Sequence, residues 1–179
     1  NNTSASNNTA VGYQAGYSTT TDGENTAVGS QAFYSNTTGN RNVALGREAL
    51  YSNTTADGNT AVGFEAALNN TTAELNSALG FNALRTNTTG GNNVALGASA
   101  LYSNTTASNN TAVGWFTLYN NSTGTTNTAV GGGVAGSVLS TMENNTTGSN
   151  NSAFGIGALG KNTTASNNTA VGYQAMYSN

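Results

Sequence analysis

The sequence predicts a mainly β fold, a parallel β-solenoid (β-roll) of about ten 17-residue coils. Three observations predict it. A glycine closes an Asn-x-Ala-apolar tetrad at Gly12, Gly29, Gly46, Gly63, Gly80, Gly97, Gly114, Gly131, Gly155 and Gly172, and every step is 17 residues except the 24 from Gly131 to Gly155. Only 6% of the residues are charged, beside 31 Asn, 30 Thr and 23 Gly; an average globular domain carries about 25% charged residues. The net charge is only −3 and Tyr, Phe and Trp recur in register. Disordered polar chains combine high net charge with few aromatics, so the metre here marks order. Residues 1–179 therefore read as a single solenoid array, and the 24-residue step, seven longer than 17, places a seven-residue insertion within 131–145.

Each element of the coil follows from its column, counted from the glycine. Position −4 is always Asn, −3 is Thr, Val or Ser, −2 is always Ala, and −1 is Val, Leu or Phe. Period two makes this a strand, with −3 and −1 on one face and Ala on the other. The expectation is that −3 and −1 fill the core. The unvaried Ala face is then expected to meet a neighbouring subunit or a second layer of backbone. The glycine ends the strand, either at positive φ or where backbone passes closely. After it, +1 is often aromatic (Tyr13, Phe64, Phe81, Trp115, Tyr173), +4 is often Leu (Leu50, Leu84, Leu101, Leu118, Leu159) and +5 is often Tyr. Apolar residues at +1, +4 and +5 have helical spacing, so this segment is either a short helical turn or a second strand.

The remainder, Ser-Asn-Thr-Thr and its followers, is turn chemistry. Stacked coils repeat the same Asn every ~4.8 Å, and stacked amides can bond donor to acceptor along a column. The structural ladder expected on this ground is Asn8, Asn25, Asn42, Asn59, Asn76, Asn93, Asn110, Asn127, Asn151 and Asn168. In the insertion, Val134, Val138, Leu139 and Met142 suggest a loop that packs on something, as either a tolerated bulge or a contact site. Ala5 to Ala15 and Ala165 to Ala175 read the same eleven letters, ASNNTAVGYQA, with no capping unit. Uncapped solenoid edges invite further pairing, which predicts a fibre built by end-to-end stacking or by a longer chain.

The chemistry-bearing residues are few. Without Cys or His there is no thiolate or imidazole ligand for a metal and no disulfide framework. Arg41, Arg47, Arg85 and Lys161 are the four cations; scattered as they are, they make no footprint for nucleic acid. No apolar run approaches the ~18 residues of a membrane span. Glu48 and Glu65 stand one coil apart in one column, the arrangement a glycosidase pair or a shared Ca²⁺ would need. Gln31 and Asn82 flank them in that column, which makes it an exposed polar row. No catalytic, cofactor-binding or metal-binding residue is assigned, and the chain is not expected to be an enzyme. Arg41 and Asp57 are expected to form a surface pair worth little energy. Asn36, Asn53, Asn70, Asn87, Asn104, Asn121 and Asn162 begin Asn-x-Ser/Thr sequons in one column and are formal glycan acceptors.

The Asn42-Val-Ala-Leu-Gly46 and Asn93-Val-Ala-Leu-Gly97 tetrads resemble the Val-Ala-Ile-Gly repeats of YadA-like trimeric autotransporter adhesin heads. The longer Asn-Thr-Ala-Val-Gly-Tyr-Gln-Ala and Tyr-Ser-Asn-Thr-Thr patterns look like repeats of bacterial and phage tail-fibre-type proteins. The resemblance implies parallel β-rolls, an extracellular or cell- or virion-surface setting, and a homo-oligomeric fibre or trimer. The function expected is structural: an extracellular filament or fibre that self-assembles by stacking of coils. The alternative is an adhesin module whose Tyr17, Tyr34, Tyr51, Tyr102 and Tyr119 column binds carbohydrate or a host surface. Ice binding through the Thr-Thr columns is a weaker alternative, since adjacent residues of a strand face opposite ways.

Overall fold

The computed structural model describes residues 6–21, 23–133 and 140–178. Ten three-residue strands stack in sequence order: β1 (Thr9–Val11), β2 (Thr26–Val28), β3 (Val43–Leu45), β4 (Thr60–Val62), β5 (Ser77–Leu79), β6 (Val94–Leu96), β7 (Thr111–Val113), β8 (Thr128–Val130), β9 (Ser152–Phe154) and β10 (Thr169–Val171). All nine pairings are parallel and in register, so that Ala44 faces Ala61 and Ala61 faces Ala78 along one column. One strand per coil, each paired only with the next, is a β-solenoid. The register survives the long step, since Thr128, Ala129 and Val130 pair with Ser152, Ala153 and Phe154.

The strand faces the opposite way from the sequence expectation. The −2 Ala side chains point into the coil and are buried, as at Ala44, Ala61 and Ala78 (all 0% exposed). The −1 side chains point out: Val11, Leu45, Leu79, Leu96, Phe154 and Val171 are all exposed. Space is the reason. Across the coil stand the +3 Ala and the +4 residue, Leu50, Leu84, Leu101, Leu118 and Leu159 among them, all fully buried. They belong with the strand alanines to one core cluster. A coil this narrow holds one Leu per layer, and a methyl is all that fits against it. Ala at −2 is therefore unvaried because it is interior, and −1 tolerates Phe154 because it is not.

The segment after the glycine is neither helix nor strand. It is two successive β-turns, seen in Ala49 N to Gly46 O at 3.3 Å and Tyr51 N to Glu48 O at 3.3 Å. The third residue of each turn is left-handed, as at Glu48 (φ 57°) and Leu50 (φ 50°), the requirement of a type II turn. Non-glycine residues in this region cost roughly 1–2 kcal/mol each. What holds them is the stack: Glu48 N reaches back to Ser30 O (3.0 Å) while Leu50 N reaches forward to Ala66 O (3.0 Å). Alternate amides reach neighbouring coils, Glu48 backward and Leu50 forward, while the amides between them close the turns, so the turn wall zips to both neighbours. Apolar spacing at +1, +4 and +5 mimicked a helix because two tight turns advance the chain with a similar period.

The closing glycine meets both of its expectations. Gly63 has φ +135°, and a Cβ there would stand 2.5 Å from Gly80 O. From Gly12 to Gly97, and again at Gly155, each glycine lies against the next one of the column, so no side chain fits there. At the insertion, the coil resumes with Thr141 at +3 and Met142 at +4, both fully buried in the core columns. Val134, Val138 and Leu139 lie outside the described residues.

Candidate functional site

The most ordered chemistry in the molecule is two columns of buried asparagine. In the −4 column each Oδ1 accepts the backbone N–H of the same Asn one coil on. Asn42 N reaches Asn25 Oδ1 at 2.8 Å and Asn59 N reaches Asn42 Oδ1 at 2.8 Å; across the insertion Asn151 N reaches Asn127 Oδ1 at 3.0 Å. Each Nδ2 is donated to a carbonyl, as from Asn59 to Ala73 O at 2.9 Å and from Asn110 to Gly124 O at 2.9 Å. This ladder alternates amide with backbone and, as the sequence suggested, also runs amide to amide at several steps: Asn42 Nδ2 to Asn25 Oδ1, Asn93 Nδ2 to Asn76 Oδ1 and Asn151 Nδ2 to Asn127 Oδ1, each at 3.2 Å, and Asn168 Nδ2 to Asn151 Oδ1 at 3.0 Å.

A second amide-on-amide ladder runs in another column. Asn53 Nδ2 donates to Asn36 Oδ1 (2.9 Å), Asn70 to Asn53 (3.1 Å), Asn87 to Asn70 (3.0 Å), Asn104 to Asn87 (2.8 Å) and Asn121 to Asn104 (3.1 Å). The second hydrogen of each Nδ2 goes to the carbonyl three residues on, as from Asn104 to Ala107 O at 2.9 Å. The glycan acceptors expected at Asn36, Asn53, Asn70, Asn87, Asn104, Asn121 and Asn162 are these residues, and all are 0% exposed. A glycan acceptor must reach solvent, and these nitrogens are spent inside the coil, so in the folded rod the sequons mark ladder positions. Asn145 belongs to the same column, bonding Asn121 Oδ1 at 2.8 Å and receiving Asn162 Nδ2 at 2.8 Å. Its signal was the following Thr-Thr-Gly, displaced by the 24-residue step.

The two ladders meet on the carbonyl of a small residue. Ala73 O accepts from both Asn59 Nδ2 and Asn70 Nδ2, each at 2.9 Å. That position is Gly or Ala in every described coil, from Gly39 to Ala165. No family model, no curated protein and no solved structure matches this chain. Function has to be argued from the coil itself.

Outside the ladders, each of the three arginines pairs with a carboxylate. The Glu48 carboxylate is held by Arg47 Nη2 at 2.7 Å, and Glu65 by the Arg85 guanidinium. The hydrogen bond from Arg85 to Glu65 raises the Arg85 pKa above its ordinary value. The expected Arg41–Asp57 pair forms at 3.3 Å, with Arg41 largely exposed. Among the described residues no group of His, Cys, Asp and Glu could hold a metal ion. No helix among them is long and apolar enough to cross a membrane.

The tyrosine column stacks upon itself. Ring centroids lie 5.2 Å apart for Tyr17–Tyr34, 5.0 Å for Tyr34–Tyr51 and 5.0 Å for Tyr102–Tyr119, with near-parallel planes. Burial, then the neighbouring Tyr102 and Glu143, pushes the Tyr119 phenol up from its ordinary value. The Thr-Thr pair divides. The first hydroxyl is donated to the next coil, as from Thr37 to Thr54 O (3.1 Å) and Thr88 to Thr105 O (3.0 Å). The second Thr, such as Thr38, Thr72 or Thr106, faces solvent in single file.

Proposed function

We propose that the chain is a structural rod of an extracellular filament or fibre that associates with copies of itself. The observation that carries this reading is the continuity of the axial hydrogen bonds. Backbone and strand-end Asn offer the next coil the same donors and acceptors from Asn8 to Asn168, and the sequon Asn does so from Asn36 to Asn162, both across the insertion. Such a stack resists extension along its axis. The extracellular setting rests on the resemblance of the Asn-Val-Ala-Leu-Gly tetrads to adhesin heads. The outward sheet face supports association between rods: Leu79, Phe81, Leu96, Trp115 and Phe154 stand exposed along and beside it. Apolar surface gathered on one face of a rod is characteristic of an interface. Electron microscopy of the purified chain at rising concentration tests the proposal. Filaments or laterally paired rods are expected, and monodisperse short particles at every concentration would sink it.

The rival reading, a carbohydrate- or host-surface-binding module, draws on the Tyr column. Sugars dock on ring faces, and here the faces are turned to one another. What the column offers outward is ring edges and hydroxyls. Binding on a glycan array that is lost on Tyr34→Ser and Tyr102→Ser, in rods of unchanged stability, would favour the module over the fibre.

A further inference from the structure

We infer that the stacked tyrosines are sites of oxidative cross-linking between successive coils. Tyr17, Tyr34 and Tyr51 hold one position of three consecutive coils, and Tyr102 and Tyr119 hold it in two more. In-register coils repeat their Cα atoms every ~4.8 Å, and the rings follow at 5.0–5.2 Å with planes 4° to 12° apart. Each side chain leaves the coil in the same direction as its neighbour. Hydroxyl therefore stands beside hydroxyl, and ortho carbon beside ortho carbon. Access is provided as well, since Tyr17 is 46% exposed and the other four are half-buried.

The chemistry is phenol coupling. One-electron oxidation takes an electron and the hydroxyl proton from each of two tyrosines, leaving radicals with spin on the carbons ortho to oxygen. Two such radicals one coil apart form a carbon–carbon bond between ortho carbons. Each of those carbons then passes its hydrogen to its own oxygen as the ring regains aromaticity. Two protons and two electrons leave per link, and hydrogen peroxide acting through a haem peroxidase accepts them and becomes two waters. Rotation about the side-chain bonds of two surface residues closes the gap, so the ladders beneath need not move. The chain has no cysteine, so disulfides cannot staple its coils. A dityrosine ties coil to coil in the direction in which a fibre is pulled. The inference does not depend on whether rods assemble, because each link lies within one chain.

The molecule carries its own controls. Tyr13 and Tyr173 sit in the +1 column, where the neighbouring coils present Ser30 and Ile156. Tyr177 has the Lys161 ammonium 5.1 Å from its ring centre instead of a second phenol. The test is to treat the full chain, dilute enough to stay monomeric, with hydrogen peroxide and a haem peroxidase, then measure intact mass, dityrosine fluorescence and linked peptides. A loss of two hydrogens per link is expected, with links at Tyr17–Tyr34, Tyr34–Tyr51 and Tyr102–Tyr119. Tyr34→Phe keeps the ring stack, and it should abolish the first two links while leaving the third. Tyr13→Phe should leave the yield unchanged. The inference is overturned if Tyr13 or Tyr173 links as readily as the stacked pairs, or if Tyr34→Phe does not change the products. It is equally overturned if the protein keeps its mass under conditions that couple free tyrosine in a parallel reaction.

Discussion

Asn70 joins the two amide columns. It donates to Asn53 Oδ1 and Ala73 O, and its Oδ1 accepts from Asn87 Nδ2 at 3.0 Å and Asn76 Nδ2 at 3.4 Å. Asn70→Ala strands several buried polar groups, each costing about 1–3 kcal/mol. The variant should therefore lose at least about 3 kcal/mol in urea unfolding. Thr72→Ala, two residues on and exposed, should stay within about 0.5 kcal/mol. Equal effects of the two would mean that the ladder is not a structural element. Tyr119 gives a pH dependence at the same scale. Its folded pKa lies above the ordinary 10.0 because burial disfavours the phenolate. The stability it contributes is fully present below the ordinary tyrosine value and is lost as the pH rises through the folded one. Melting temperature should fall in strongly alkaline buffer, and the fall should be smaller in Tyr119→Phe; an identical alkaline loss in the variant would assign it elsewhere.

At the scale of the element, the strand and the turn wall divide inside from outside. Leu101 is fully buried on the turn wall and Leu96 is 44% exposed on β6. Leu101→Ala should cost roughly 2–5 kcal/mol, whereas Leu96→Thr should change stability by less than about 0.5 kcal/mol. Were −1 a core column, as its apolar character alone suggests, the order would be reversed, and denaturation of the two variants decides between them. Gly63→Ala tests the strand end. The new methyl would meet the Gly80 carbonyl at φ +135°, and neither backbone has room to retreat between its own neighbours. A loss of about 3 kcal/mol or more is expected, from left-handed strain together with the disrupted stack. An Ala variant that melts with the parent would show that the column is looser than its spacing.

For the whole molecule, each coil contacts only the coils beside it, so stability accumulates coil by coil and interface by interface. The Asn70→Ala and Gly63→Ala lesions should therefore open the rod locally. Hydrogen exchange should rise in the coils next to each lesion while distant coils keep their protection. The same regularity governs association. With few charges on the rod and apolar side chains on its sheet face, contact between rods should be insensitive to salt or strengthened by it. Sedimentation across a range of sodium chloride concentrations reads this directly, and dissociation by moderate salt would point to ionic contacts instead.

Much of this was legible in the sequence. The 17-residue metre requires stacked parallel coils, the unbroken Asn at −4 marks a ladder, and Leu at +4 marks an apolar column, because each is a statement about one residue type repeated in one place. The direction of the strand was not legible. Alternation separates two faces but does not say which one is inside; that depends on the width of the coil, which the turn wall sets across the interior. The turn wall was hidden for a related reason: left-handed Gln, Glu and Leu are held by bonds to neighbouring coils, and no local signal carries them. The sequon column changed meaning likewise. Asn-x-Thr names a chemical possibility, and only the stacked structure places those amides inside, where Asn53 donates to Asn36 and the column runs on through Asn145.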